Sequence, residues 1–295
     1  MRGLIDRHHA QAVRDGTRII PCCGFDSVPS DLGAWLVAEA IWKQHGEPCV
    51  SVKACHSMRG GLNGGTLASA LNMMDAGQDR LLADLFLLNP AGSAPRNPAE
   101  HADPVAPHRD ADFAAWVGPF VMGPVNTRVV RRTAALLAAR GDAAYGADFK
   151  YQEYMRFGRG PLAAATATGV SVGMGVGLAA LRRLKTARSL ARNLAVAPGK
   201  GPSETTMDGG SFRCELIGRS ASGKVMRGRI AGQGDPGNRA TTKFVCESAL
   251  ALALQTETLP GGERAGGVLT PASGLGFVLG QRLIATGMNL EPIAA

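Results

Sequence analysis

Cys22-Cys23-Gly24-Phe25-Asp26-Ser27 puts two thiols, a carboxylic acid and a hydroxyl in one short stretch. A thiol attacks only once deprotonated, and a positioned carboxylic acid can pass a proton to a reacting group. No histidine lies near Cys23 in the sequence to take its proton, so a small buried apolar group is the simpler reading of that residue. Asp26 precedes a helical pattern, where its charge either meets a ligand or caps the helix. Cys23 and Asp26 are the candidate catalytic residues, and Tyr151 and Tyr154 are further proton donors by chemistry alone.

A second run, Gly60-Gly61-Leu62-Asn63-Gly64-Gly65-Thr66, invites a phosphate reading, because glycine lets backbone N–H groups approach an anion. No lysine precedes Thr66, so the nucleotide-binding GxxxxGK[ST] pattern is absent, and so is GxGxxG. Gly64, Gly65 and Thr66 stay open as a substrate-contacting loop or a plain strand-to-helix turn. Cys49, Cys55 and His56 lack CxxC or HxxxH spacing, which argues against a metal site.

The elements that must hold these residues follow from pattern. A helix is expected over 4–14, closed by Gly16, then a strand over 18–22 and a helix over 29–44 with Ser27 as N-cap and Pro29 in its first turn. Helix, strand, loop, helix is a piece of a doubly wound sheet, whose ligands sit at the carboxyl ends of the strands. Residues 49–57 read as a strand, 67–87 as a long helix, and 88–112 as a surface loop long enough for a lid or binding role. Further strands are expected over 116–122 and 149–157, a hairpin over 211–218 and 224–230, and helices over 126–140, 241–256 and 275–286. The fold class is α/β, an incomplete Rossmann-like parallel sheet with an inserted α+β domain. Residues 1–46 form the rear of the Rossmann-like unit, 47–240 the α+β substrate or dimerisation domain, and 241–295 the helices that return.

Composition bounds the partners. With 45% apolar and 19% charged residues the chain is a folded globular protein. Its net charge of +8 is clustered, in Arg128, Arg131, Arg132 and Arg140 and again from Arg182 to Lys200. Such clusters serve as solvated helix faces or meet anions. Zinc-finger, RNP-like and basic-aromatic patterns are missing, so no nucleic-acid partner is expected. The charged opening Arg2-Gly-Leu-Ile-Asp-Arg is unlike a signal peptide, and the six cysteines lack a disulfide pattern, so a reduced, cytoplasmic protein is expected.

Residues 161–181 are uncharged, with the length of a membrane span but many Ala and Gly. Gly169, Gly173 and Gly177 would admit a second helix, and the basic run behind them could dock on anionic headgroups. A buried or homodimer-forming helix, a peripheral lipid contact through 161–192 and a true span all remain open.

Cys23-Gly24-Phe25-Asp26-Ser27-Val28-Pro29-Ser30-Asp31-Leu32-Gly33 resembles the hallmark of the saccharopine dehydrogenase-like oxidoreductases, a group that includes the trans-acting enoyl reductases. Five further motifs follow in the same order: Gly64-Gly65-Thr66, Pro198-Gly199-Lys200-Gly201-Pro202, Gly234-Asp235-Pro236-Gly237, Glu247-Ser248-Ala249-Leu250 and Gly266-Gly267-Val268-Leu269-Thr270-Pro271. Asn63 and Asn238 depart from the usual residues of that family. The resemblance implies an NAD(P)-dependent reductase of a lipid or acyl, enoyl-type substrate. In it Cys23, Gly24, Phe25, Asp26 and Ser27 line the crevice at the nicotinamide end of the cofactor. Members of the family open with a glycine-rich strand, turn and helix that bind the pyrophosphate. That motif is absent from this sequence, which raises the expectation of a fragment, a misplaced start or a decayed paralogue, and the alternative of a non-catalytic lipid-surface-associated protein or a pseudoenzyme.

Overall fold

The computed structural model describes residues 1–61, 64–95, 97–194, 201–262 and 264–292. The chain is mixed α/β. In order it forms α1 (Arg2–Asp15), β1 (Arg18–Ile19), α2 (Val28–His45), β2 (Cys49–Arg59), α3 (Gly64–Asp75), β3 (His108–Asp110), β4 (Ala115–Pro119), α4 (Gly123–Ala138) and β5 (Tyr145–Gly158). Then come α5 (Gly160–Arg183), α6 (Lys185–Leu194), α7 (Glu204–Asp208), β6 (Ser211–Ser220), β7 (Val225–Gln233), α8 (Thr241–Leu254), β8 (Gly267–Val268), α9 (Pro271–Ala285) and β9 (Asn289–Glu291).

Two sheets result. β1 and β8 pair in parallel, Arg18 opposite Gly267. The other strands form a seven-stranded sheet in the order β3-β4-β5-β2-β6-β7-β9. Within it β2 and β5 run parallel, and the remaining neighbours are antiparallel. α2 has almost no polar face, because it is covered on both sides: it packs on β6 and β7 and also against α4 and α9. One buried cluster therefore runs from Val28, Leu32 and Ile41 through Val52 and Leu216 to Leu275 and Leu279.

Two expected elements end early for local reasons, and a third is kinked. β1 stops at Ile19, because Pro21 lacks an N–H and Cys22 sits at φ 65, outside any strand conformation. The long helix expected over 67–87 closes at Asp75, and Gly77 at φ 66 turns the chain into a short 3-10 segment, Gln78–Ala83. α9 is one element kinked at Gly276 (φ 50), where a Cβ would lie 2.8 Å from Pro260. The hairpin is present, with Gly223 at φ 85 in its turn.

Candidate functional site

The carboxyl ends of β1 and β8 point the same way, and each strand leads through a short loop into a buried helix, α2 or α9. Residues 20–27 thus occupy the position where open parallel sheets bind ligands. Cys23 is half-buried, its Sγ 3.1 Å from the Ile20 carbonyl, and burial pushes its thiol up to about 11. At neutral pH it is a thiol and a poor nucleophile. Asp26 is exposed, yet the atoms packed around its carboxyl raise its pKa above the ordinary aspartate value.

The other motif residues face inward. Phe25 is 6% exposed, edge-on to Phe212 (5.0 Å between centroids) and tilted against Phe244. Its N–H donates to Thr241 Oγ1 at 3.0 Å. A Cβ on Gly24 would sit 2.7 Å from that same hydroxyl oxygen, so the glycine serves the approach of α8. Ser27 stands at the N-cap position of α2 without capping it; its Oγ donates to Asn126 Oδ1 at 2.9 Å.

That bond leads into a buried polar network the sequence reading missed. Glu153, 1% exposed, accepts from Ser30 Oγ (2.8 Å), Asn126 Nδ2 (2.9 Å) and the Tyr151 hydroxyl (2.9 Å). His56 Nε2 lies 3.6 Å from the same carboxylate, and its ring stacks on Phe120 at 4.2 Å. Burial and the Glu153 charge hold the Tyr151 hydroxyl well above the usual phenol range, so it stays a donor. Tyr154 points to the opposite face of the strand, bonded to Gln152 Oε1 at 2.9 Å. One signal was available: with a period of two, Glu153 shares the face of Tyr151, and a carboxylate on a buried strand face needs dedicated partners.

The Asp31 carboxylate ties the first motif to the last. It accepts from the Ala272 N–H at 2.8 Å and from the Thr133 hydroxyl, while Thr133 and Thr270 hydroxyls meet at 2.5 Å. Thr270 and Ser273 close a capping box on α9. Burial pushes the Asp31 carboxyl up to about 7 against the opposing pull of these bonds. Asp235 of the Gly-Asp-Pro-Gly motif accepts from the Arg239 N–H at 3.0 Å, and Glu247 pairs with Arg282 at 2.7 Å.

Gly64, Gly65 and Thr66 form the first turn of α3. Leu62, Asn63 and the run Pro198-Gly199-Lys200 lie outside the described residues. Among the described residues no three His, Cys, Asp or Glu side chains are grouped to hold a metal.

The expectation of a solvated or anion-meeting basic face on α4 is corrected by the structure. Arg128, Arg131 and Arg132 are each at most 2% exposed. They donate into main-chain carbonyls, mostly of the segment 82–101 that lies over α4: Arg128 to Leu82 (2.5 Å), Arg131 to Leu85 (2.8 Å) and His101 (2.5 Å), Arg132 to Leu88 and, in β8, to Val268 (2.6 Å). Asp103 is the shared carboxylate of Arg128 and Arg131, and burial lowers Arg131 and Arg132 to about 10. A cleft of about 310 Å³ opens beside this helix, lined by Arg131, His101, Tyr145 and Phe149, away from residues 20–27.

A nicotinamide dinucleotide needs free N–H groups where its pyrophosphate lies. At the crevice three such groups are engaged: Ala272 N–H by Asp31, Ser273 N–H by Thr270, and Phe25 N–H by Thr241. These three N–H groups are therefore not offered to a pyrophosphate, and among the polar side chains of the motif Cys23 and Asp26 are left at the rim for a ligand.

Searches among known proteins find close relatives. A protein of Mycobacterium tuberculosis assigned as a trans-acting enoyl reductase is 36% identical over 310 residues, covering 99% of this chain and 71% of its own length. The trans-acting enoyl reductase of Mycobacterium ulcerans is 36% identical over 303 residues, covering 97% and 70%. That of Mycobacterium bovis is 34% identical over 304 residues, with the same coverage. No family model matches the chain, and no solved structure matches it.

Proposed function

From the premise that the chain belongs to the trans-acting enoyl reductase family, we propose that it takes part in reducing the carbon–carbon double bond of an enoyl group on a lipid or acyl substrate. Such a reduction adds a hydride to one carbon and a proton to its neighbour, and the proton needs a donor at the site. The observation that carries the reading is Asp26, an accessible carboxyl with a raised pKa at the carboxyl end of a parallel strand pair. In this reading Asp26 supplies the proton, Cys23 borders the reacting group as a neutral thiol, and Gly64, Gly65 and Thr66 touch the substrate. Ser27, through Asn126 and Glu153, holds the loop in place.

Dependence on NADH or NADPH, and affiliation with the saccharopine dehydrogenase-like oxidoreductases, belong to the same proposal and rest on the motif resemblance. No hydride step is assigned to the described residues.

The test is titration of the chain with NADPH and NADH by calorimetry, followed by cofactor oxidation with a long-chain 2-enoyl thioester. Saturable binding and enoyl-dependent oxidation are expected, with Asp26→Asn lowering kcat by about a hundredfold or more. Absence of both at millimolar cofactor overturns the reductase reading. An unchanged kcat in Asp26→Asn removes the role of that residue alone.

A further inference from the structure

The helix α5 is long and uncharged enough to cross a membrane, with a mean hydropathy of 1.5 over its most apolar window, yet only 17% of that window is buried. That excludes the ordinary explanation of an apolar helix, which is burial in the core. Its buried residues are Ala163, Ala167 and Ser171, one narrow stripe at four-residue spacing laid on β4 and β5. The fit there is close: a Cβ on Gly118 of β4 would lie 2.8 Å from Ser171 Oγ. Outward stand Leu162 (80% exposed), Val172 (58%) and Val176 (65%), and no heavy atom comes within 4 Å of where Gly169, Gly173 or Gly177 would carry a Cβ.

The helix that follows, α6, is fastened through its arginines. Arg188 and Arg192 of α6 both pair with Asp75, Arg188 mostly covered and Arg192 exposed, and Arg182 at the end of α5 pairs with Asp79 at 2.9 Å. Leu184 and Leu190 are left outside, 54% and 59% exposed. Charges are used to fasten the pair of helices to the body, and the leucines face out. Arg183 and Lys185, at the junction, are exposed and have no carboxylate within ion-pair distance among the described residues.

We propose that the outer face of α5 and the start of α6 dock on an anionic lipid surface. The valines and leucines would sink to the headgroup–acyl boundary, and Arg183 and Lys185 would meet headgroup phosphates. The stripe at Ala163, Ala167 and Ser171 is clamped to the sheet, so lipid can reach only one side of the helix; it lies in the interface and does not span it. The proposal stands whether or not the chain reduces an enoyl group.

The test is flotation of the full chain with vesicles of phosphatidylcholine alone or with phosphatidylglycerol. Flotation with the anionic vesicles is expected. Val172→Asp/Val176→Asp should lower partitioning at least tenfold, and Arg183→Gln/Lys185→Gln should lower it on anionic vesicles only. All four side chains are solvent-exposed, so an unchanged circular dichroism melt certifies the fold of each variant. Wild-type protein left at the bottom of the gradient with anionic vesicles overturns the proposal. So does a wild-type dimer, by light scattering without lipid, that the double aspartate variant splits: a second copy would then cover the face.

Discussion

Replacing Asp31 by asparagine should remove the pH dependence of stability that this group brings to the core. The carboxyl is fully buried, and its pKa in the folded chain is about 7 against an ordinary value of 3.8. Between those values the folded state keeps a proton that the unfolded state has lost. It binds more protons than the unfolded chain, so stability falls as pH rises through this window and the whole penalty is present above it. A difference of roughly three pH units corresponds to about 4 kcal/mol at 1.36 kcal/mol per unit, an upper figure for a single group. Asparagine does not titrate, keeps an oxygen for the Ala272 N–H, and presents an amide to a Thr133 hydroxyl that can rotate to accept. The two proteins should therefore be similar near pH 3.5, below the unfolded pKa, and Asp31→Asn should be the more stable by up to about 4 kcal/mol near pH 8. Urea unfolding followed by the fluorescence of Trp35, Trp42 and Trp116 reads this, and subtracting one protein from the other cancels the remaining titrating groups. A difference that stays flat within about 1 kcal/mol from pH 5 to 8, or one that grows in favour of aspartate, would refute the reasoning.

Phe25→Ala removes a ring held between Phe212 and Phe244 and should cost about 3–5 kcal/mol in urea unfolding. Glu153→Ala strands the Ser30, Asn126 and Tyr151 donors and should cost at least about 3 kcal/mol, whereas Glu153→Gln, which keeps an acceptor, should cost less. Arg132→Lys exchanges a fork that reaches both Leu88 and Val268 carbonyls for a single ammonium, for a loss of about 1–3 kcal/mol by the same measurement. Iodoacetamide at neutral pH, read by mass spectrometry, should alkylate exposed Cys246 well before Cys23, Cys49 or Cys55, whose thiols burial raises to about 11, 12 and 12.

What the sequence let be read depended on how far apart the cooperating residues lie. Local order was legible: α2 between Pro29 and Gly46, the hairpin around Gly223, and Gly16 closing α1 are settled by neighbours along the chain. The uncharged run at 161–181 was equally plain as a helix, but its exposure depends on β4 and β5 offering it only a narrow strip. The arginines of α4 show the limit from the other side. Charge on a helix argues for solvent, and it was overruled because the segment around Leu82, Leu85 and Leu88 aims its carbonyls at them.

The motif from Cys23 to Asp31 mixes both cases, and it bears on how shared motifs are interpreted. Its position at the end of β1 followed from pattern, while the destinations of its side chains did not. Phe25 goes to α8, Ser27 and Ser30 to the Glu153 network, and Asp31 to the start of α9. Each destination is itself a motif residue or a neighbour of one, or a buried polar group that would be costly to leave unpaired. Of the motif's polar side chains, only Cys23 and Asp26 have room for a ligand. Most of this signature is thus accounted for by holding α2, α8 and α9 in register, and its chemistry narrows to two side chains. Asp26→Asn should accordingly alter turnover and leave the urea midpoint nearly unmoved, whereas Ser27→Ala should lower the midpoint by orphaning Asn126 Oδ1. If the two effects fell the other way round, Asp26 would be structural and the assignment of chemistry to the rim of this loop would be wrong.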